Sequence, residues 1–189
     1  QPDSILNGSM FFDHRTVYGD LSLEKGLKKL LAQHLNQEKM FMTRMAANVN
    51  RFRPPLSLFG SIKVAHDQEH RGQLDIKKAG IFAITEGVKA LAMEAGIMDG
   101  GTRERIDALV DKGVLTRKLA DNLDASYNYL VFLRLRCQVE DIRDGHEPSN
   151  FITLAKLNHM EKGRLKLAFE EVNEFHEFLT VHFRVHLLR

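Results

Sequence analysis

Leu119, Leu123, Ser126, Leu130, Leu133 and Cys137 follow one another at steps of three and four, and so do Leu165, Ala168, Val172, Phe175 and Leu179. Such spacing puts each set on one face of a long α-helix, and each face needs another helix to cover it. Two such stripes constrain the chain to a bundle. Thr116 is the expected N-cap of the first long helix, which runs to about Arg143 and is ended by Gly145 and Pro148; the second begins near Asn158. Shorter helical stripes precede them. Ser22 is placed to cap Leu23, Leu27, Leu30 and Leu31, with a break at Asn36, and a second helix carries Met40, Met45 and Val49 to about Phe52. Arg53-Pro54-Pro55 stops it, since proline has no N–H and restricts the residue before it. Ile84, Val88, Leu91 and Ala95 mark a helix closed by Gly96, and Thr102 is placed to cap one holding Ile106, Leu109 and Val110.

Two stretches break the helical pattern. Phe11 to Asp20 is rich in aromatic and β-branched residues and closes on Gly19-Asp20, a strand composition with a stop. Residues 56–80 have no helical period, and His66 to Lys78 is crowded with charge. The expected fold is mainly α: a helical bundle with a short N-terminal β-like segment and one long charged loop.

Composition narrows the partners. The chain has 189 residues, a net charge of +2 and one cysteine, Cys137. So small a charge makes no bulk electrostatic case for nucleic acid. A lone cysteine forms no internal disulfide and suits a reducing, cytoplasmic setting. No apolar run approaches the roughly 20 residues of a membrane span.

The chemistry-bearing candidates are local. Tyr129 to Leu135 is apolar nearly all round, which predicts a central helix, yet Arg134 and Arg136 sit within it or beside it. Each needs a carboxylate, a carbonyl or an anionic ligand, or a route to the surface. In the loop, His70, Arg71, Lys77 and Lys78 can donate to phosphate oxygens, and Asp75 can orient them; a solvated loop with internal salt bridges is the alternative. Gly60-Ser61 followed by Asp75-Ile76-Lys77 only superficially resembles the two-metal signature of nucleotidyltransferases, because Lys77 stands where the second acid belongs. His182 and His186 have the spacing of a metal pair but no evident third ligand, and Glu170, Glu174 and Glu177 read as a solvated acidic face.

The successive stretches "ILNGSMFFDHRTVYGD", "NRFRPPLSLFG", "EHRGQLDIKKAGIFAITEGVKALAMEAGI", "TRERIDALVDKGVLT" and "YLVFLRLRCQVE" resemble the C-terminal part of bacterial nucleotidyltransferases similar to protein-PII uridylyltransferases. In that family a helical substrate-binding domain follows the catalytic domain, and CBS or cyclic-nucleotide-binding sensor domains often precede both. The resemblance implies a boundary near residue 20, with 1–20 the remnant of the catalytic domain and 21–189 the substrate-binding domain. It implies a role for Asp13 as the third catalytic carboxylate, with an ordinary acid paired to Arg15 as the alternative. It implies Mg²⁺ and a nucleoside triphosphate in the full-length protein, none bound to this part alone, and a protein or small-molecule acceptor. A non-catalytic regulatory or dimerisation bundle, relaying a sensor-domain signal, is the competing expectation, with a second copy of the chain as partner.

Overall fold

The computed structural model describes residues 8–37, 39–57 and 60–188. The chain divides into two compact units, Gln1–Arg51 with Thr85–Ala120 and Phe178–Arg189, and Phe52–Ile84 with Asp121–Glu177. The elements in order are α1 (Leu21–Gln37), α2 (Lys39–Val49), β1 (Gln73–Asp75), α3 (Phe82–Glu94), α4 (Thr102–Asp111), α5 (Arg117–Arg143), β2 (Phe151–Thr153) and α6 (His159–His182). The expected mainly helical bundle is what the chain forms.

In the first unit the buried side chains come from α2 (Met42, Met45, Ala46, Val49), the later part of α3 (Val88, Leu91, Ala92), α4 (Ile106, Leu109), the end of α6 (Leu179) and Phe183 just beyond it. The caps follow from short polar residues and glycines. Asp20, rather than Ser22, caps α1, its Oδ1 accepting from the Ser22 N–H at 2.8 Å. Gly96 ends α3 at φ +72°, its N–H donating to Met93 O while Ile97 N–H reaches Ala92 O. Gly101, not Thr102, is the N-cap of α4.

In the second unit β1 and β2 pair antiparallel, Leu74 opposite Ile152, with both side chains buried. A π-helical turn, Lys77–Ile81, leads from β1 into α3. α5 starts as expected, with Thr116 Oγ1 accepting from Leu119 N–H at 3.2 Å. Asn158 and Glu161 exchange side-chain-to-backbone bonds of 2.8 and 3.0 Å, a reciprocal cap on α6. All five stripe residues of α6 are buried.

Several further expectations change. Residues 11–20 form no strand. Residues 8–11 make one helical turn, Phe12 N–H donating to Gly8 O, followed by turn and bends. A β-prone composition does not make a strand without a neighbour to complete its ladder, and Phe12 instead sets its ring edge-on to Phe41 of α2 at 5.5 Å. The charged loop is shorter than expected, because its end becomes β1 and the π turn. The α5 segment from Tyr129 to Leu135 is not buried all round: Phe132 is 56% exposed and Leu135 54%. Lastly, His182 ends α6 and His186 lies in the following 3₁₀ turn beyond Arg184, at φ +51°, so the two are not on one helical face. The Asn36 break falls within α1, which runs on to Gln37, and the expected remnant's residues 1–7 lie outside the described residues.

Candidate functional site

The first unit holds an open cavity of about 570 Å³. Its wall is built from α1, α3, the Met98–Thr102 stretch, α4 and the irregular segment 13–15. Lys89 arises in an otherwise apolar run of α3 and is 6% exposed; Arg105, one turn into α4, is 10% exposed. Both converge on Asp13. Lys89 Nζ donates to Oδ2 at 2.5 Å and Arg105 Nη1 lies 2.8 Å from Oδ1. Lys89 also binds Glu86 at 2.8 Å, and Glu86 accepts from the Ser9 hydroxyl at 2.9 Å. Burial pushes the Asp13 carboxyl up, but the hydrogen bonds and charges of Lys89 and Arg105 outweigh it and hold it below the usual carboxylate range. Across the wall Lys28 pairs with Glu24 at 2.5 Å and with Asp99. The Glu24 carboxyl is drawn down to about 2, first by Lys28 and then by the Thr16 N–H and hydroxyl.

Magnesium needs oxygen ligands. Asp13, expected from the resemblance as a catalytic carboxylate, has one oxygen on an ammonium and the other on a guanidinium. These residues do not fit the metal, and among the described residues no three His, Cys, Asp or Glu side chains are grouped to hold one. The acid pairs with Lys89 and Arg105 rather than with Arg15.

The other expected site residues lie in the second unit. Asp75 accepts from the Lys78 N–H at 3.0 Å and pairs with its ammonium at 3.5 Å. His70 stacks on Phe151 at 3.5 Å between ring centroids and bonds Gln73 at 3.2 Å. Arg134 donates from Nε to Asn150 Oδ1 at 2.7 Å, while Asn150 O accepts from Ile76 N–H at 3.0 Å. Asn150 thus ties Arg134 to the end of β1. Arg71 and Lys77 are exposed. Arg136 is held by Glu161 and reaches Glu140 at 3.8 Å.

Sequence reasoning missed Lys89 and Arg105. The signal was there: Lys89 is the lone charge between Gly87 and Met93, the same anomaly that singled out Arg134. No curated protein and no solved structure matches the chain. A family model does match, over residues 39–183, described as "Putative nucleotidyltransferase substrate binding domain". That match spans most of the chain, including Lys89, Arg105 and both strands of the second unit's sheet, and the chain therefore belongs to this family of nucleotidyltransferase substrate-binding domains.

Proposed function

We propose that this chain supplies substrate recognition to a metal-dependent nucleotidyltransferase whose paired metal-binding acids belong to a separate catalytic part. The family match over residues 39–183 carries this reading. The transferred group goes to a protein or small-molecule acceptor in a cytoplasmic signalling response, under sensor domains upstream. Arg71 and Lys77, exposed on either side of β1 in the β1–β2 pair, contact the nucleotide or its acceptor; His70, Asp75, Lys78 and Arg134 hold that surface in shape. The chain alone is expected to bind one or more of ATP, GTP, CTP and UTP with Mg²⁺ in calorimetric titration, and to turn over none of them. Loss of Arg71 or Lys77 is expected to weaken binding by about 1.5–3 kcal/mol without moving the melting temperature. No binding of any of the four, or metal-dependent turnover by the chain alone, overturns the reading.

A second reading, a bundle that pairs two copies, is favoured by one observation. Phe132, Leu135, Val139 and Ile142 are all exposed on α5 at steps of three, four and three, the seam of a coiled-coil contact. Sedimentation equilibrium is expected to show a dimer that Leu135→Asp with Val139→Asp converts to monomer. A wild type that stays monomeric at high micromolar concentration ends this reading.

A further inference from the structure

We propose that the cavity of the first unit is a seat for a phosphoryl group, and that Asp13 occupies it as a resident stand-in that the ligand displaces. The inference rests on the reading that the domain receives a phosphate-bearing substrate, and it adds to the Arg71 and Lys77 surface a further seat, in the first unit, for a phosphoryl group.

The depth of the charges is the first argument. Lys89 and Arg105 are all but buried, and Lys28 is 13% exposed, whereas the acid between the first two is 37% exposed. Burying cations is costly unless each meets an anion. Here the rigid helices α3 and α4 provide the cations, while the anion comes from a segment with no regular structure after residue 11. A purely structural ion pair has no need of an open space of about 570 Å³ beside it, and that volume falls in the range of small-ligand pockets.

The charge balance is the second. Four cations, Arg15, Lys28, Lys89 and Arg105, and four acids, Asp13, Glu24, Glu86 and Asp99, line the wall. Glu24 and Asp99 are taken up by Lys28, and Glu86 by Lys89. With Asp13 withdrawn, Arg105 loses its carboxylate and the wall carries one cation in excess, so the vacated place takes an anion. Lys89 and Arg105 each hold one oxygen of Asp13, and the same two donors span two oxygens of a phosphoryl group. A phosphoryl dianion brings more charge than a carboxylate and a third oxygen, and so competes for the seat.

The tethers are the third. Asp13 is kept in place by its own N–H on Met10 O at 3.1 Å, by the Thr16 N–H on Glu24 at 2.6 Å, and by Phe12 against Phe41. Neither hydrogen bond is a backbone bond of α1 to α6, so both can break and residues 13–18 swing out while α3 and α4 stay fixed.

Inorganic pyrophosphate, titrated without metal into the 189-residue chain, tests the seat apart from any nucleoside. Wild type is expected to bind it, Lys89→Met about tenfold more weakly, and Asp13→Asn about tenfold more tightly, because the isosteric amide no longer competes. Hydrogen exchange needs no variant: the Thr16 amide, protected by Glu24 in the free chain, should exchange faster once pyrophosphate is bound. Should Asp13→Asn misfold, that second measurement decides alone. Asp13→Asn that binds no more tightly than wild type, or a Thr16 amide equally protected with and without ligand, overturns the inference. Nucleotide binding that survives such a result leaves the proposed function standing with its site elsewhere; pyrophosphate binding without any nucleotide binding does the reverse.

Discussion

Replacing Leu130 with alanine is expected to destabilise the second unit by about 2–5 kcal/mol, and the cost should shrink when Gly80 becomes alanine in the same chain. Leu130 is fully buried. Gly80 lies in the π turn between β1 and α3, and a Cβ built there would stand 2.6 Å from Leu130 Cδ1 and 3.4 Å from Phe169 Cε1. Gly80→Ala alone therefore overfills a closed space and should cost about 1–3 kcal/mol. Together, the new methyl occupies part of the room that the leucine vacates, so the double variant should be more stable than the sum of the single changes by about 1 kcal/mol. Urea unfolding of the four proteins measures this. Strict additivity would mean that Gly80 is tolerated for its backbone freedom, not for the close approach of α5.

Acid should weaken the same unit through His176. This residue of α6 is wholly buried. Burial is the largest cause that holds its pKa down, from 6.5 to about 4; the positive charge of Arg53 adds to it, and the hydrogen bond to the Phe52 carbonyl and the charge of Glu177 oppose it. In the unfolded chain the ring takes up its proton near pH 6.5, whereas in the folded chain it stays neutral until about pH 4. Between those values the unfolded state binds more protons, so stability falls as pH falls. The effect is full above pH 6.5 and amounts to about 3 kcal/mol lost by pH 4. His176→Gln keeps a hydrogen-bonding side chain that does not titrate. Guanidinium unfolding at pH 7, 6, 5 and 4 is expected to show a steeper decline for wild type than for His176→Gln. Parallel declines would place the acid sensitivity in the carboxylates instead.

The helices were legible because their signals are local. The α6 stripe from Leu165 to Leu179, the Thr116 cap and the Gly96 stop all involve residues within one or two turns of each other. The β1–β2 pair was not legible. It joins Leu74 to Ile152, 78 positions apart, in strands of three residues each, too short to show alternation against the surrounding charge. The site was half legible. Asp13 was singled out, and so was the anomaly of a cation in an apolar helix, but at Arg134 rather than at Lys89.

The sequence by itself determined the class of fold and the family, since helical periodicity, caps and the order of motifs are all written along the chain. Tertiary structure alone decided what the charges do. Asp13, Lys89 and Arg105 are 76 and 16 positions apart in turn, and no spacing rule links them. An ion pair depends on distance in space and on exclusion of water, and those are fixed only when α3 and α4 bring two buried cations to one carboxylate. The same reasoning separates Arg134 from Arg136: two positions apart on one helix, they meet Asn150 and Glu161 respectively, because at about 100° per residue their side chains point about 200° apart and so face different elements.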